Sequence, residues 1–557
     1  MSSTKDPQLL ISGLSGWPLR AAVYAMEWLP LLSYKITKDS LIYELRNHHF
    51  TETPTMLPIP NRCIHKGTVP QKENFQLDAS RKSISPFHSF WDYHEAYQSG
   101  KTTPSKVATR FLEAAKATEH CHWLRTYIEK DILVQAAAST ERYARHQPLS
   151  QLDGVFIGIK EELDIQGLET KAGTSFINDG SPATSDSTIV KRLKDAGAII
   201  VGHTVMQELG WDVFSVNPNT GTPMNPYGVN VSCGGSSGGS GGIVAAGLCP
   251  VSIGADGGGS IRIPSSFCGL YGLKTTFGRI SAFGGERSDP TLNAYGPLAA
   301  TADDMALTYA IIAGPDENDW YTLFQPPVSL ANYDQTDSLQ GITIAVVPEW
   351  NQDADLVFLE RLEQFKNFYQ RLGATIVEID LPELFLAKRA HTITICSEMN
   401  DYANKFLRQK HQFLLHTRIM MGLSNNIYSI DYLRAQQMRT RMMDRLTDLF
   451  QHHHIDLILT PATGMQAPEI SPGAMAHGMS NVNWTVKAMH YATLANLTGI
   501  PAVNLPAGFE NGKPVGLQLM AEWWNEALLC RMAKISEKIP NIERQRPRQD
   551  YSTDLLS

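Results

Sequence analysis

The chain has 557 residues, of which 43% are hydrophobic and 19% charged, the composition of a globular protein with a sizeable core. Its formal net charge of −8 argues against nucleic acid as a partner, because phosphate binding requires a basic surface. The seven cysteines are scattered without a CxxC pair, which is typical of a reduced, intracellular protein rather than of a disulfide framework or a zinc site.

The first apolar segment covers residues 9–33 and contains two prolines, an arginine and a glutamate. These interruptions argue against a membrane-spanning helix of roughly 20 apolar residues, and no cleavage site of a secretory signal follows. One face of the predicted helix consists of apolar residues, namely Leu19, Ala22, Val23, Met26 and Leu29. Such a helix fits a membrane interface, where Trp17 and Trp28 would be well placed, or a dimer interface, or packing on its own domain.

Residues 51–90 are rich in Pro, Thr and Asn and predict an irregular arm over the body. Thr103 and Pro104 then begin a helix, with a capping residue followed by proline at the first position. The buried stripe expected for this helix is Val107, Phe111, Leu112 and Ala115. A second helix is expected near residues 132–146.

The apolar run from Val155 to Ile159 predicts a buried strand that ends at Lys160. Desolvation lowers the pKa of a lysine from about 10.4 towards neutrality, and a neutral lysine is a competent base. Lys160 is therefore a candidate general base. The sequence then predicts a helix at Thr188–Ala196 and a strand at Ala198–Val201, which together with the first strand form the βαβ pattern of a parallel sheet.

The densest cluster of glycine in the chain follows at residues 232–260, where 11 of 29 residues are glycine. Such density indicates positive φ angles, close backbone approach, or backbone N–H groups that converge on an anion. Ser260 follows three glycines, so a potential nucleophile lies beside N–H groups that could hold an oxyanion. Arg262 either orients this loop or forms a salt bridge with Asp256.

Lys160, Ser236 and Ser260, together with GGSSGGSGG and GGGSIRIPSSFCGLYGLKTTFGRIS, resemble the amidase signature family. The intervals of 76 and 24 residues between the three match the spacing of that family. The resemblance implies an α/β fold with a large mixed β-sheet covered by helices. It also implies that Ser260 is the nucleophile, Ser236 the proton relay and Lys160 the base.

By the same resemblance, the oxyanion hole consists of the N–H groups of Gly257, Gly258, Gly259 and Ser260, supported by Asp256 and Arg262. No metal ion or organic cofactor is expected. The resemblance extends over residues 100–540, so we expect a catalytic domain at 91–545. A helical extension and arm would occupy residues 1–90, in contact with a membrane or a dimer partner, and a tail residues 546–557.

The C-terminal half predicts a strand at 341–348, a helix at 354–372, a strand at 374–379 and a helix at 382–408. One long helical stretch is expected at 412–450, and its Met, Leu and Phe residues near 413–423 fit either the core or an acyl channel. The adjacent histidines 452–454 follow a helix end and are not expected to bind a metal.

Within the family, residues 256–260, the TPATGMQAP stretch and the N-terminal LLISGLSG resemble plant-type fatty acid amide hydrolases. That resemblance implies a membrane-associated homodimer that hydrolyses N-acylethanolamines. Two alternatives within the family are the glutaminase subunit of a tRNA-dependent amidotransferase and an amidase for small or aryl amides. Outside it, GGSSG at 234–238 also fits the nucleophile elbow of an α/β-hydrolase, which would need a histidine base, and a non-catalytic membrane scaffold is a further alternative.

Overall fold

The computed structural model describes residues 13–67, 75–83, 85–547 and 555–557. Residues 9–12 of the predicted N-terminal segment and most of the predicted tail therefore lie outside the described residues. The described residues form thirteen β-strands: β1 Leu14–Ser15, β2 Leu124–Thr126, β3 Phe156–Lys160, β4 Ile199–Thr204, β5 Val251–Asp256, β6 Tyr271–Lys274, β7 Ala294–Ala299, β8 Thr343–Val346, β9 Thr375–Glu378, β10 Leu457–Pro461, β11 Met479–Ser480, β12 Ala502–Glu510 and β13 Lys513–Ala521.

The α-helices of the described ranges surround these strands. They are α1 Gly16–Trp28, α2 Pro30–Asp39, α3 Phe90–Gln98, α4 Pro104–Ala117, α5 Glu129–Ala144, α6 Thr188–Asp195, α7 Gly238–Ala245, α8 Arg262–Phe267, α9 Ala302–Ile312, α10 Pro348–Asn351, α11 Leu356–Arg371, α12 Leu384–Asn404, α13 Leu415–Ser424, α14 Ser429–Gln451, α15 Pro472–His477, α16 Val482–Ala488, α17 Thr493–Thr498 and α18 Glu526–Ser536.

Eleven of the strands form one mixed sheet in the order β2-β4-β3-β5-β7-β6-β12-β13-β10-β8-β9. The pairs β3–β4, β3–β5, β8–β10 and β8–β9 are parallel, and the other pairs are antiparallel. Successive residues of a strand point to opposite faces. Accordingly Leu457 and Leu459 belong to one hydrophobic cluster and Ile458 to another, so the sheet has a core on each face. The predicted α/β fold with a large mixed sheet is confirmed.

The parallel pairing of β3 and β5 brings the two chemical motifs together. Ile157, Gly158 and Ile159 of β3 are in register with Val251, Ser252 and Ile253 of β5. Because both strands run the same way, their carboxyl ends meet at one edge of the sheet. Lys160 ends β3 at this edge, and the loop to Ser260 leaves β5 there.

The glycines of α7 allow this helix to pack directly on its neighbours. A Cβ at Gly239 would lie 2.5 Å from the Val205 nitrogen, and one at Gly242 would lie 2.3 Å from the Trp123 ring. Every residue of α7 is buried. Part of the glycine cluster therefore serves helix packing rather than ligand binding.

The predicted helix after Thr103 is confirmed as α4, where the Lys106 N–H donates to Thr103 Oγ1 at 3.3 Å. Its stripe of Val107, Phe111, Leu112 and Ala115 is buried as predicted. The single helix predicted over 412–450 is wrong, since α13 and α14 are separate. Tyr428 precedes α14, and its backbone N–H donates to the Asp431 carboxylate at 2.9 Å, which is an N-terminal capping contact.

The N-terminal segment forms a hairpin of two helices, α1 and α2, on the surface of the domain. Leu19, Val23 and Met26 pack against Ile419 of α13, so the predicted apolar face contacts the protein's own domain. Leu29, predicted on that face, is instead 58% exposed because it lies at the turn between α1 and α2. Within the described ranges, no helix is both long and apolar enough to cross a membrane.

Candidate active site

Three predicted catalytic side chains line one cavity of 120 Å³ at the end of β3 and β5. The Lys160 ammonium donates to Ser236 Oγ at 2.8 Å, and Ser260 lies on the same cavity wall. Only 1% of Lys160, 1% of Ser236 and 6% of Ser260 is exposed. The arrangement places a lysine, a hydroxyl in hydrogen-bond contact with it and a second serine together in a buried site.

The loop after β5 is held by a buried ion pair. Arg262 donates to both oxygens of Asp256, at 2.8 and 3.0 Å. Its remaining N–H groups bond Asn496 Oδ1, Gln518 Oε1 and the Ala492 carbonyl at 2.6, 2.6 and 3.1 Å, so all five donors of the guanidinium have an acceptor. Burial alone would raise the pKa of Asp256, but Arg262 holds it well below its usual range.

The Asp256 carboxylate also accepts backbone N–H groups from the loop that contains Ser260. Gly259 donates to Oδ1 at 2.7 Å and Ile261 to Oδ2 at 3.1 Å. The Gly259 N–H is therefore engaged by Asp256 in this structure, and its part in the oxyanion hole stays a prediction. The φ of Gly259 is +107°, a backbone conformation that aims this N–H inward and favours glycine.

Gly257 and Gly258 line the cavity together with Ser260, as expected for donors to an oxyanion. The Gly257 carbonyl accepts from His391 Nε2 at 2.8 Å. This bond fixes the peptide plane that also carries the Gly258 N–H, since a peptide is planar. Burial lowers the pKa of His391 to about 4, so the ring is neutral.

Sequence reasoning missed three acidic residues of the cavity wall, Glu162, Asp212 and Asp289. Glu162 Oε2 lies 2.8 Å from the Lys160 ammonium. The Asp289 side chain packs so closely on Gly257 that a Cβ there would lie 1.6 Å from its Oδ2. Glu162 is two residues from Lys160 and could have been noticed, whereas Asp289 and His391 reach the site through tertiary contacts that leave no local signal.

A second cavity of 90 Å³ adjoins the first. Thr392, Cys396, Met420, Val482 and Val486 line both cavities. The outer cavity is closed by Thr37, Ser40 and Ile42 at the end of the N-terminal hairpin. Of the predicted stripe at 413–423, Met420 and Leu423 line these cavities, while Phe413 and Met421 are buried in a separate hydrophobic cluster.

A larger cleft of 660 Å³ lies between the end of β8, the start of α12 and the helix α16. None of the three predicted catalytic side chains is among its lining residues, so its size does not make it the reaction site. Within the described ranges, no cluster of His, Cys, Asp or Glu is arranged to hold a metal ion.

Comparison with known proteins agrees with this geometry. A sequence model of the family described as Amidase matches residues 106–530. A fatty acid amide hydrolase of Oryza sativa subsp. indica is 33% identical, over 98% of this chain and 95% of that protein. A glutamyl-tRNA(Gln) amidotransferase subunit of Microcystis aeruginosa is 31% identical, over 82% of this chain and 98% of that protein.

Among solved structures, the chain is similar to the peptide amidase PAM in complex with the competitive inhibitor chymostatin, with a TM-score of 0.69 and 25% sequence identity. The match covers 83% of this chain and 99% of that chain. The chain belongs to the amidase family and is a serine amide hydrolase. The resemblance to plant-type fatty acid amide hydrolases is confirmed at the level of sequence similarity.

Proposed function

We propose that this enzyme hydrolyses a lipid amide of the N-acylethanolamine type to a fatty acid and an amine. The observation that carries the chemistry is the buried hydrogen bond from Lys160 to Ser236 Oγ at 2.8 Å, beside Ser260 in one cavity. The observation that supports a lipid substrate is the outer cavity, which continues from the catalytic one along largely apolar side chains.

The proposed reaction is acyl transfer to water. Lys160, in its neutral form, takes a proton through Ser236 while Ser260 attacks the amide carbonyl. The N–H groups of Gly257, Gly258 and Ser260 hold the charge of the tetrahedral intermediate. The proton returns through Ser236 to the departing nitrogen, and water, deprotonated along the same path, cleaves the acyl-enzyme.

The chemistry of the cavity walls supports this substrate class. Ile395, Met399 and Met489 line the catalytic cavity, and Leu423 and Ile427 line the outer one. An acyl chain that extends from Ser260 along this path would bury its methylenes against apolar side chains. The plant relative at 33% identity, which is named a fatty acid amide hydrolase, supports the same substrate class.

The hairpin α1–α2 supports peripheral contact with a lipid surface. Trp17, Trp28 and Leu31 are about four-fifths exposed, at 79%, 80% and 82%. Arg20, Lys35 and Lys38 are exposed on the same hairpin, and a lipid interface with anionic headgroups accepts such a mixture of aromatic and cationic side chains. The homodimer and the intracellular location rest on the sequence alone and stay predictions.

A glutaminase subunit is the second candidate, because the relative named as a subunit of a glutamyl-tRNA(Gln) amidotransferase is 31% identical. Glutamine is small and polar and would leave the outer apolar cavity empty. The aryl or small-amide alternative leaves it empty as well. A series of substrates that differ in acyl length therefore separates all three.

The test is kcat/KM across N-acylethanolamines of two to about twenty carbons, with acetamide and glutamine as further substrates. Each buried methylene contributes about 0.8 kcal/mol, so kcat/KM is expected to rise up to about fourfold per methylene until the cavities are filled. A flat or falling series would refute the lipid-amide proposal and leave amide hydrolysis intact.

A further inference from the structure

The Lys160 ammonium has two partners in the active site, of which the proposed reaction uses only one. Its Nζ donates to Ser236 Oγ at 2.8 Å and lies 2.8 Å from Glu162 Oε2. The side chains of Lys160 and Glu162 are only 2% and 8% exposed. The carboxylate therefore lies opposite a base that must be aimed at Ser236.

Glu162 is itself fixed by the loop that precedes β7. The Glu286 N–H donates to the Glu162 carbonyl at 2.8 Å, and Asn293 Nδ2 donates to Glu162 Oε1 at 3.5 Å. The neighbouring Glu161 contacts a different residue, because its carboxylate lies 3.3 Å from Arg125. The contact between Glu162 and Lys160 is thus specific to one of two adjacent acidic residues.

Ionisable groups that interact with Glu162 include Lys160, Asp289, Tyr295 and Tyr402. Burial raises the pKa of Asp289 well above its ordinary value, and the carboxyls of Glu162 and Glu398 raise it further. Burial likewise raises the pKa of both tyrosines, which favours their uncharged forms. Glu162 is the carboxyl group in direct contact with Lys160, with Oε2 at 2.8 Å from Nζ.

We propose that Glu162 is the positioning residue of the general base, an inference that rests on the proposed role of Lys160. Glu162 aims Nζ at Ser236 and stabilises the ammonium that forms when Lys160 takes the proton. In that step the Ser260 O–H bond breaks and an N–H bond forms at Lys160, with Ser236 passing the proton. Glu162 itself neither gains nor loses a proton, and it acts like the carboxylate of a Ser–His–Asp triad.

If the contact between Glu162 and Lys160 were purely structural, it would hold the loop without affecting proton transfer to Lys160. The pH profile of kcat distinguishes this possibility from a positioning role. Glu162→Gln keeps the shape of the side chain and removes its charge. The ammonium then loses its nearest anion, so Lys160 becomes protonated only at lower pH. The acid limb of the kcat profile is expected to move to lower pH, while the plateau falls by ~100-fold and KM changes little.

Two further variants make the test decisive in the full-length protein. Glu162→Asp keeps the charge but withdraws it by one methylene, and it is expected to lie between wild type and Glu162→Gln in both plateau and acid limb. Glu161→Gln is the matched control, a buried carboxyl beside Glu162 that contacts Arg125, and it is expected to leave the acid limb in place.

An acid limb that stays at the wild-type pH in both Glu162 variants, with activity reduced equally at every pH, would overturn the proposal in favour of a structural ion pair. Should Glu162→Gln fail to fold, Glu162→Asp alone decides by whether its acid limb moves. Failure of the proposed role of Lys160 is separate, because it would appear as full activity in Lys160→Ala, and failure of the lipid-amide proposal would appear in the acyl-length series.

Discussion

At the scale of single residues, two of the three carboxyl groups that line the cavity, Glu162 and Asp289, have different surroundings. Glu162 faces the Lys160 ammonium at 2.8 Å. Asp289 has a Ser288 hydroxyl at 3.3 Å from Oδ1, while Oδ2 lies against Gly257. Burial, then Glu162 and Glu398, raise the pKa of Asp289, and the opposing influences of Lys160 and Ser288 are smaller. We therefore expect Asp289 to keep its proton to a much higher pH than an ordinary aspartic acid.

Asp289→Asn tests this assignment through the alkaline side of the pH profile. When wild-type Asp289 ionises at high pH, a negative charge appears beside Gly257, where the oxyanion is proposed to form. The kcat of the wild type is expected to fall there, whereas the Asn variant stays within about threefold of wild type at neutral pH and loses that fall. The measurement is kcat against pH for both proteins.

Thermal unfolding of the same two proteins provides the control. The folded state keeps a proton on Asp289 that the unfolded chain releases above a pKa of about 3.9. The free energy of unfolding therefore falls as pH rises above that value, until the folded-state pKa is passed. Asp289→Asn should reduce this dependence of the free energy of unfolding on pH. If wild type and variant have the same dependence, and the same alkaline limb of kcat, Asp289 is ionised over the whole pH range measured.

A strand end and a glycine-rich loop in the sequence point to Lys160 and Ser260 as candidates, whereas Ser236 is singled out only by the family resemblance. Local spacing could not predict that the Gly259 N–H is bound to Asp256, since that depends on a φ of +107°. Asp289 and His391 are equally invisible to spacing, because the loop before β7 and the helix α12 bring them to the site only in the folded chain.

At the scale of elements, the hairpin α1–α2 has two different faces. Its inner face packs on α13 through Leu19, Val23 and Met26, and Glu27 forms an ion pair with Arg418 at 2.7 Å. Its outer face exposes Trp17, Trp28 and Leu31. Deleting the hairpin would uncover buried Ile419 of α13, so point variants of the outer face are the cleaner test.

The double variant Trp28→Ser, Leu31→Ser tests the proposed lipid contact. Each large apolar side chain contributes about 1.5–3 kcal/mol when fully buried, so binding to vesicles that contain anionic phospholipid is expected to fall by about tenfold or more. Hydrolysis of a water-soluble short-chain amide should be unchanged. Co-sedimentation with vesicles measures the first and steady-state kinetics the second.

Leu356→Ser is the matched control, because this leucine at the start of α11 is 69% exposed yet lies outside the hairpin. Its vesicle binding should equal that of wild type. Unchanged binding in the hairpin variant would contradict the lipid contact. A change from dimer to monomer in that variant would instead assign the face to a dimer interface.

The break between α13 and α14 shows how an element boundary escaped prediction. The apolar pattern continues across residues 412–450 and favours one helix, yet Asn425 and Asn426 follow the last turn of α13. Asparagine favours helix ends, and Asp431 reaches back to the Tyr428 N–H at 2.9 Å to begin a new helix. These polar signals decided the boundary, whereas the hydrophobic pattern alone did not reveal it.

At the scale of the whole molecule, the sheet gathers the catalytic groups at one edge and the helices close the cavity over them. β3 and β5 supply Lys160 and the loop to Ser260, while α12, α13 and α16 supply the walls that lead to the N-terminal hairpin. The sequence similarity to amidases accounts for the sheet and the loops. The connection between catalytic cavity and hairpin depends on tertiary packing and could not be predicted from motifs.

Identification of the nucleophile is the most direct test of the account, because every proposed step begins with attack by Ser260. The wild-type protein is treated with a fluorophosphonate and the labelled residue is located by mass spectrometry, alongside Ser260→Ala and the control Ser266→Ala, whose hydroxyl lies 3.4 Å from Thr463. We expect the label on Ser260, neither label nor turnover in Ser260→Ala, and both in Ser266→Ala. Labelling of a different serine, or turnover that survives in Ser260→Ala, would contradict the account.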